Sequence, residues 1–348
     1  MKELWKKITD RYDYPKILIT MFLTLLCALA VVQKQNVPGL LKDSLVRVGM
    51  NGILVLAMVP GIVSGTGLNF GLSIGILCGL LAGCISIELK LTGMTAFIAA
   101  VLISIPVSAV AGYAYGLLLN RVKGDEMTVG TYMGFSIVSL MCIGWLLLPF
   151  KNPDMIWAIG GRGLRTTIAL AGKFHKVLDG FLSFKLLGEP VPTGTLLFFA
   201  LGCLLMGLFL KSKTGVAMMA AGDNPRFAAA NGINVDRQRI IGTMLSMITG
   251  GIGILVYAQS FGFFQLYTGP LMMPFVAISA ILIGGATAKK ASISNVVTGT
   301  VLFQTLLTIS LPVINKMMPE GNLSEVIRLI VSNGVILYAL TKAGGSDS

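Results

Sequence analysis

Covalent and acid–base chemistry need nucleophiles, histidines or paired carboxylates gathered at one place, and this sequence keeps those residue types apart. Its single histidine, His175, lies in a connection between apolar runs, which excludes a histidine-based metal site or catalytic dyad inside those runs. The five cysteines (Cys27, Cys78, Cys84, Cys142 and Cys203) all fall within apolar runs and show no metal-ligand spacing, so buried, unreactive thiols are expected and a metal is not. No Gly-x-x-x-x-Gly-Lys-Ser/Thr phosphate loop occurs, so ATP hydrolysis has no site of the usual kind on this chain, and no cofactor is expected. Glu88, Asp125 and Glu126 sit in short connections, and Glu325 with Arg328 opens the last apolar run. No run carries an acid near its middle, where a proton- or sodium-coupled carrier would place one to partner its ion.

The spacing that does stand out is Gly222-Asp223-Asn224-Pro225-Arg226-Phe227-Ala228-Ala229-Ala230-Asn231-Gly232-Ile233-Asn234-Val235. Asn224 suits an N-cap, Pro225 the first helical position, and Gly232 a left-handed stop. The stretch therefore predicts a short, rigid polar helix over 225–231, set between two long apolar segments and flanked by Lys and Arg. Two readings stand: an ordinary helical connection, or a helix presented to another protein, here one that could supply work to a chain with no energy source of its own.

The elements that position this helix follow from composition. With 55% hydrophobic and 12% charged residues the chain is far below the roughly 25% charge of soluble domains. Long unalternating apolar runs exclude a β-barrel and predict an all-α polytopic membrane protein. Runs near 17–33, 45–63, 68–87, 94–119, 127–148, 193–210, 240–258, 270–286, 294–312 and 324–341 give about ten transmembrane helices. No polar linker divides them, so residues 1–348 read as one integral membrane domain. The first run resembles a signal segment, with Ala28-Leu29-Ala30 as a superficial cleavage site, yet its length and the runs after it predict an uncleaved span; Leu26 before Cys27 disfavours a lipoprotein signal.

The net charge of +12 is dispersed among the connections, which fits topology control and anionic membrane lipids rather than nucleic acid. Placing Lys2, Lys6, Lys7, Arg11 and Lys16 in the cytoplasm also puts Arg121, Lys123, Lys211, Lys213, Arg226, Arg237, Arg239, Lys289, Lys290 and Lys342 inside. Both termini and the 211–239 loop are then cytoplasmic. Residues 149–192 fall outside yet carry Lys151, Arg162, Arg165, Lys173, Lys176 and Lys185. Leu164, Ile168, Ala171, Phe174, Leu178 and Phe181 recur there at helical spacing, predicting an extracytoplasmic amphipathic helix in the outer interface, open as well to an acidic soluble partner.

Gly61, Gly65, Gly67, Gly71, Gly75, Gly79 and Gly83 give small-xxx-small spacing for close helix approach. Around Ser64-Gly65-Thr66-Gly67-Leu68-Asn69 the helix is expected to break, either as a tight turn or beside a solute cavity. Thr66, Asn69, Ser73, Gln259 and Gln304, polar groups within apolar runs, are the candidate substrate-pathway residues. Gly52-Ile53-Leu54-Val55-Leu56-Ala57 recurs as Gly253-Ile254-Leu255-Val256-Tyr257-Ala258, a trace of two internally repeated halves.

The segment Ala221–Asp236 resembles the coupling-loop signature of bacterial ABC importer permeases, in the branch that includes ribose, xylose and galactoside permeases, branched-chain amino-acid permeases and nucleoside permeases. The pattern, approximately Ala-x-Gly-x-Asn-x-x-Ala-Ala-x-x-x-Gly-Ile-x-Val, falls on Gly222, Asn224, Ala228, Gly232, Ile233 and Val235, with Phe227 where the first Ala of the pair would stand. Gly67-Leu68-Asn69-Phe70-Gly71-Leu72-Ser73-Ile74-Gly75 is similar to the Gly-Gly-Ile-Asp-Leu-Ser-Val-Gly segment of sugar permeases, and Ile283-Gly284-Gly285-Ala286 with Gly299-Thr300-Val301-Leu302 to their late Gly-Gly segment. The sugar-permease acid is absent, with Asn69 or Gly71 in its place, and Ser73 stands where the nucleoside branch has Glu.

The resemblance implies a type II importer-like bundle that works with two ABC ATPase subunits, a second permease copy or homologue, and an extracytoplasmic solute-binding protein, in the bacterial cytoplasmic membrane. Gly222, Asn224, Pro225, Arg226, Phe227, Ala228 and Gly232 would form the ATPase-coupling element. The expected cargo is a simple sugar, with a nucleoside or branched-chain amino acid as alternatives. An ion-coupled secondary transporter and an integral membrane enzyme are the rival classes.

Overall fold

The computed structural model describes residues 14–157, 163–186, 188–317 and 333–334. A chain that must satisfy its own backbone in lipid folds its apolar runs as helices. In order these are α1 (Tyr14–Val32), α2 (Val37–Leu56), its short continuation α3 (Met58–Val63), a 3-10 turn (Phe70–Leu72) leading into α4 (Ser73–Glu88), α5 (Gly93–Arg121) and α6 (Glu126–Leu147). After the long connection come α7 (Thr193–Lys211), α8 (Lys213–Asp223), α9 (Pro225–Ala230), α10 (Val235–Phe261), α11 (Gly269–Ile283) and α12 (Ile293–Met317).

Among the described residues seven helical stretches are long and apolar enough to cross a membrane, and Ile19–Val32 and Gly269–Ile283 are shorter apolar helices. The protein is a multi-pass membrane protein. Helices occupy every expected run except 324–341, which lies outside the described residues apart from 333–334.

At the centre stands α10, packed against α2, α4 and α5. Lipid gives little hydrophobic drive for helices to associate, so close backbone approach carries the packing. A Cβ at Gly79 would lie 2.2 Å from the Gly251 carbonyl oxygen, and one at Gly75 would lie 2.6 Å from that of Met247. Helices α2 and α10 run antiparallel: Ala57 meets Ser246, and Gly253 lies against Leu54. The two similar hexamers therefore touch each other in the core.

Bulky side chains such as Leu140, Ile143, Leu204 and Leu208 face outward on α6 and α7. Cys78 and Cys84 are buried as expected, but Cys27 is exposed and Cys142 and Cys203 partly so, because their helices turn them toward the periphery.

The amphipathic helix expected within 149–192 is not formed among its described residues. Instead β1 (Thr167–Ala169) pairs antiparallel with β4 (Phe263–Gln265), β2 (Lys185–Leu186) pairs with β3 (Glu189–Pro190), and turns fill 171–182. The amides that a helix would bond internally go elsewhere: Lys176 N donates to Gln259 O at 2.8 Å and Leu178 N to Gln259 Oε1 at 3.1 Å. Leu164, Ile168, Phe174 and Leu178 are buried in the bundle, not laid on an interface, while Ala171 and Phe181 are exposed. Phe174 meets Phe264 edge-on at 5.8 Å and sits 6.3 Å from Phe97 on α5. The connection is thus a cap fixed to the ends of α5, α7 and α10.

The packing predicts asymmetric responses to added methyl groups. Gly79→Val should lower the thermal unfolding temperature of detergent-solubilised protein, by about 1–3 kcal/mol of overpacking. Gly207→Ala on α7, where a Cβ meets only Ile293 at 3.9 Å, should leave it unchanged or slightly raised.

Candidate functional site

The predicted short helix is present as α9. The Asn224 Oδ1 accepts from Phe227 N at 3.0 Å, and Pro225 occupies the first turn, where no amide partner is lost. At the other end Gly232 takes φ +80°, Ile233 N donates to Ala228 O at 3.0 Å, and Gly232 N to Ala229 O at 3.0 Å. This paired closure is the Schellman arrangement, and it satisfies carbonyls that a short helix would otherwise leave bare. Asn234 then caps α10 through Arg237 N at 2.9 Å. Ala228 is fully buried, whereas Arg226 is exposed and Phe227 is 65% exposed. A rigid helix thus presents an aromatic ring and a cation outward.

Its two arms are anchored. On α8, Gly222 lies so close to the end of α3 that a Cβ there would be 2.2 Å from Val63 O and 2.8 Å from Gly65 N. On α10, Arg239 is 7% exposed and binds three other segments of the chain, at Gly65, at the end of α5 and at the start of α6. Its Nε donates to Asn120 Oδ1 at 2.9 Å, Nη1 to Gly65 O at 3.1 Å, and Nη2 to Leu119 O at 3.4 Å and to Glu126 Oε1. A planar five-donor fork suits such a junction better than a point charge does. Along α8, which leads into α9, a groove of about 470 Å³ is bordered by Val63, Val216, Met219, Asp223 and Lys290, with Lys290 Nζ 3.8 Å from Asp223 Oδ1.

Pathway candidates divide by how their polar atoms are used. All five are buried. Thr66 Oγ1 donates to Gly61 O at 2.9 Å, and Ser73 Oγ to Pro270 O at 2.7 Å. Gln259 serves as the buckle of the cap: besides receiving Leu178 N, its Nε2 lies 3.2 Å from Thr195 Oγ1 and 3.3 Å from Asp179 Oδ1. Asn69 Nδ2 donates to Ser246 Oγ at 2.8 Å, but Asn69 Oδ1 has no partner, and neither has Gln304 Nε2 on α12.

The structure places Thr66, Asn69 and Ser73 along one helix break, whereas Gln259 lies at the cap and Gln304 on α12. The Arg239–Glu126 pair leaves no local signal, because in the sequence Arg239 reads only as one of the cytoplasmic cations.

The family described as branched-chain amino acid transport system / permease component matches residues 40–340. A tyrosine transport system permease protein of Clostridioides difficile (strain R20291) is 26% identical over 271 residues, 74% of this chain and 88% of that protein. The nucleoside ABC transporter permease protein NupC of Lactococcus lactis subsp. cremoris (strain MG1363) is 31% identical over 103 residues, 29% of this chain and 32% of that one. The xylose/arabinose import permease protein XylH of Sulfolobus acidocaldarius is 25% identical over 236 residues, covering 64% and 56% respectively. No solved structure matches.

Removing the cap tests whether α9 is held as a rigid body. Asn224→Ala should speed amide hydrogen exchange at Phe227 by about five-fold, the equivalent of about 1 kcal/mol, with α10 unaffected.

Proposed function

Because the chain belongs to the ABC transporter permease family described as branched-chain amino acid transport system / permease component, we propose that it is the membrane subunit of an ATP-driven importer. The observation that carries this reading is the doubly capped α9, which exposes Arg226 and Phe227 at one end of a bundle with no phosphate loop of its own. Gly222, Asn224, Pro225, Arg226, Phe227, Ala228 and Gly232 form the ATPase-coupling element, and the groove beside Asp223 and Lys290 belongs to the same docking face. That end lies in the cytoplasm, with both termini. The cap at 149–192 faces outside and receives a solute-binding protein; a second permease copy or homologue completes the pathway. Ten spans in two repeated halves remain the architecture we infer, supported by the antiparallel contact of the two similar hexamers on α2 and α10.

The solute is small, polar and without net charge. In support, the orphaned buried groups among the described residues are all neutral, acceptors at Asn69 and Gln238 and donors at Gln304 and the Trp145 indole, while Arg239 and Glu126 neutralise each other near one end. A simple sugar meets this description, and XylH is a pentose-named relative. An amino acid is the second reading, favoured by the tyrosine permease, whose resemblance spans 88% of that protein.

The test is uptake by the tagged chain purified with its native partners and reconstituted in vesicles, using labelled xylose, guanosine and tyrosine. Uptake should require ATP, persist with ionophores, and favour one solute. Arg226→Glu with Phe227→Ala should leave assembly intact and abolish solute-linked ATP hydrolysis. Ionophore-sensitive, ATP-independent uptake would instead establish a secondary carrier.

A further inference from the structure

Between Val63 and Ser73 the chain is not α-helical, and this stretch runs from the α9 end of the bundle into its interior. Its outer part is held by both arms of the α9 loop. Gly65, at φ +81°, has the α-carbon of Gly222 3.0 Å from the position of its absent Cβ, and its carbonyl accepts from Arg239 Nη1. Ser64 fills the space that a side chain at Gly242 would need. Its inner part is held by α10 again. Ser246 Oγ donates its only hydrogen to Ala57 O at 2.7 Å, so it can only accept from Asn69 Nδ2. That fixes the orientation of the Asn69 amide and leaves Oδ1 as a buried acceptor with no donor. Ser246 stands eleven residues past Val235, about 16 Å along α10.

We propose that Arg239 is a positioning residue that passes displacement of α9 to the non-helical segment 64–72, and so to Asn69, whose Oδ1 takes a hydroxyl or N–H of the solute. The logic is mechanical and chemical together. α8 and α10 enter and leave α9, so any push on α9 moves Gly222 and Arg239. Both meet Gly65, Gly222 by close backbone packing and Arg239 by a hydrogen bond to its carbonyl. Carbonyl and amide groups freed by a helix break cannot be left unpaired in lipid, so the segment follows the fork that satisfies it. Asn120, Leu119 and Glu126 give the fork a fixed abutment on α5 and α6. The solute side of this reading rests on the importer assignment.

The experiment compares the reconstituted complex with Arg239→Gln/Glu126→Gln, which removes both charges together, and with Arg239→Lys, which keeps the charge but loses the fork. The readout is solute moved per ATP hydrolysed, alongside basal ATP turnover and assembly by size exclusion. The double variant is expected to assemble with near-normal basal turnover and to lose about ten-fold in solute moved per ATP, and Arg239→Lys is expected to fall in the same direction. Normal stoichiometry in either assembled variant overturns the proposal. A second measurement needs no variant. Amide hydrogen exchange across residues 64–72 in the wild-type complex should change on adding a non-hydrolysable ATP analogue; no change there, with a change in α9, also overturns it. If wild-type complex moves no solute with ATP, the importer assignment fails, whereas coupled wild type with coupled variants defeats Arg239 alone.

Discussion

Peptide groups freed at a break in a helix must find partners when no water can reach them, and the break between Val63 and Ser73 organises much of this molecule. Unpaired, each group would cost several kcal/mol in hydrocarbon. Thr66 N and Oγ1 turn back onto Gly61 O, Ser73 Oγ reaches Pro270 O, and the Gly65 carbonyl is met by a guanidinium from α10. That guanidinium is itself expensive to bury, and Glu126 offsets the charge; removing one partner of such a pair generally costs about 3–5 kcal/mol. Connections that look separate in the chain, 64–72, 119–126 and 231–239, are therefore one unit.

The same demand explains the density of small residues. Where α4 meets α10, Gly75 and Gly79 face backbone atoms, and Gly251 lies beside Ser104 and Ser108 of α5. Three helices approach at near-backbone distance, and dispersion replaces the hydrophobic drive that a bilayer lacks. Leu140 on α6 and Leu204 and Leu208 on α7 are exposed and point away from this centre.

How much of this was legible depends on the reach of each interaction. Spans are written in local composition and α9 in its own caps, Asn224 and Gly232, so both could be read along the chain. The cap could not. Ile168 and Phe174 recur at helical spacing, but both meet Phe264, some ninety residues away, and the amides of Lys176 and Leu178 that follow them bond to Gln259. Long-range pairing overrode a local period, as tertiary context commonly does. Arg239 was equally opaque: Glu126 lies 113 positions earlier, and nothing near either residue announces the other. A basic side chain four residues into a helix looks like a topology signal whether or not it is buried.

Helix α10 is continuous over 27 residues and contains no proline, unlike α5, α11 and α12 with Pro106, Pro274 and Pro312. At about 40 Å it spans the bilayer with both ends fastened, Arg239 near its start and Gln259 near its finish. With no proline to hinge it, the rod answers a load at one end as one piece. A shift imposed at Arg239 would therefore reach Gln259, and through it Lys176 and Leu178 of the cap, with no bend to absorb it.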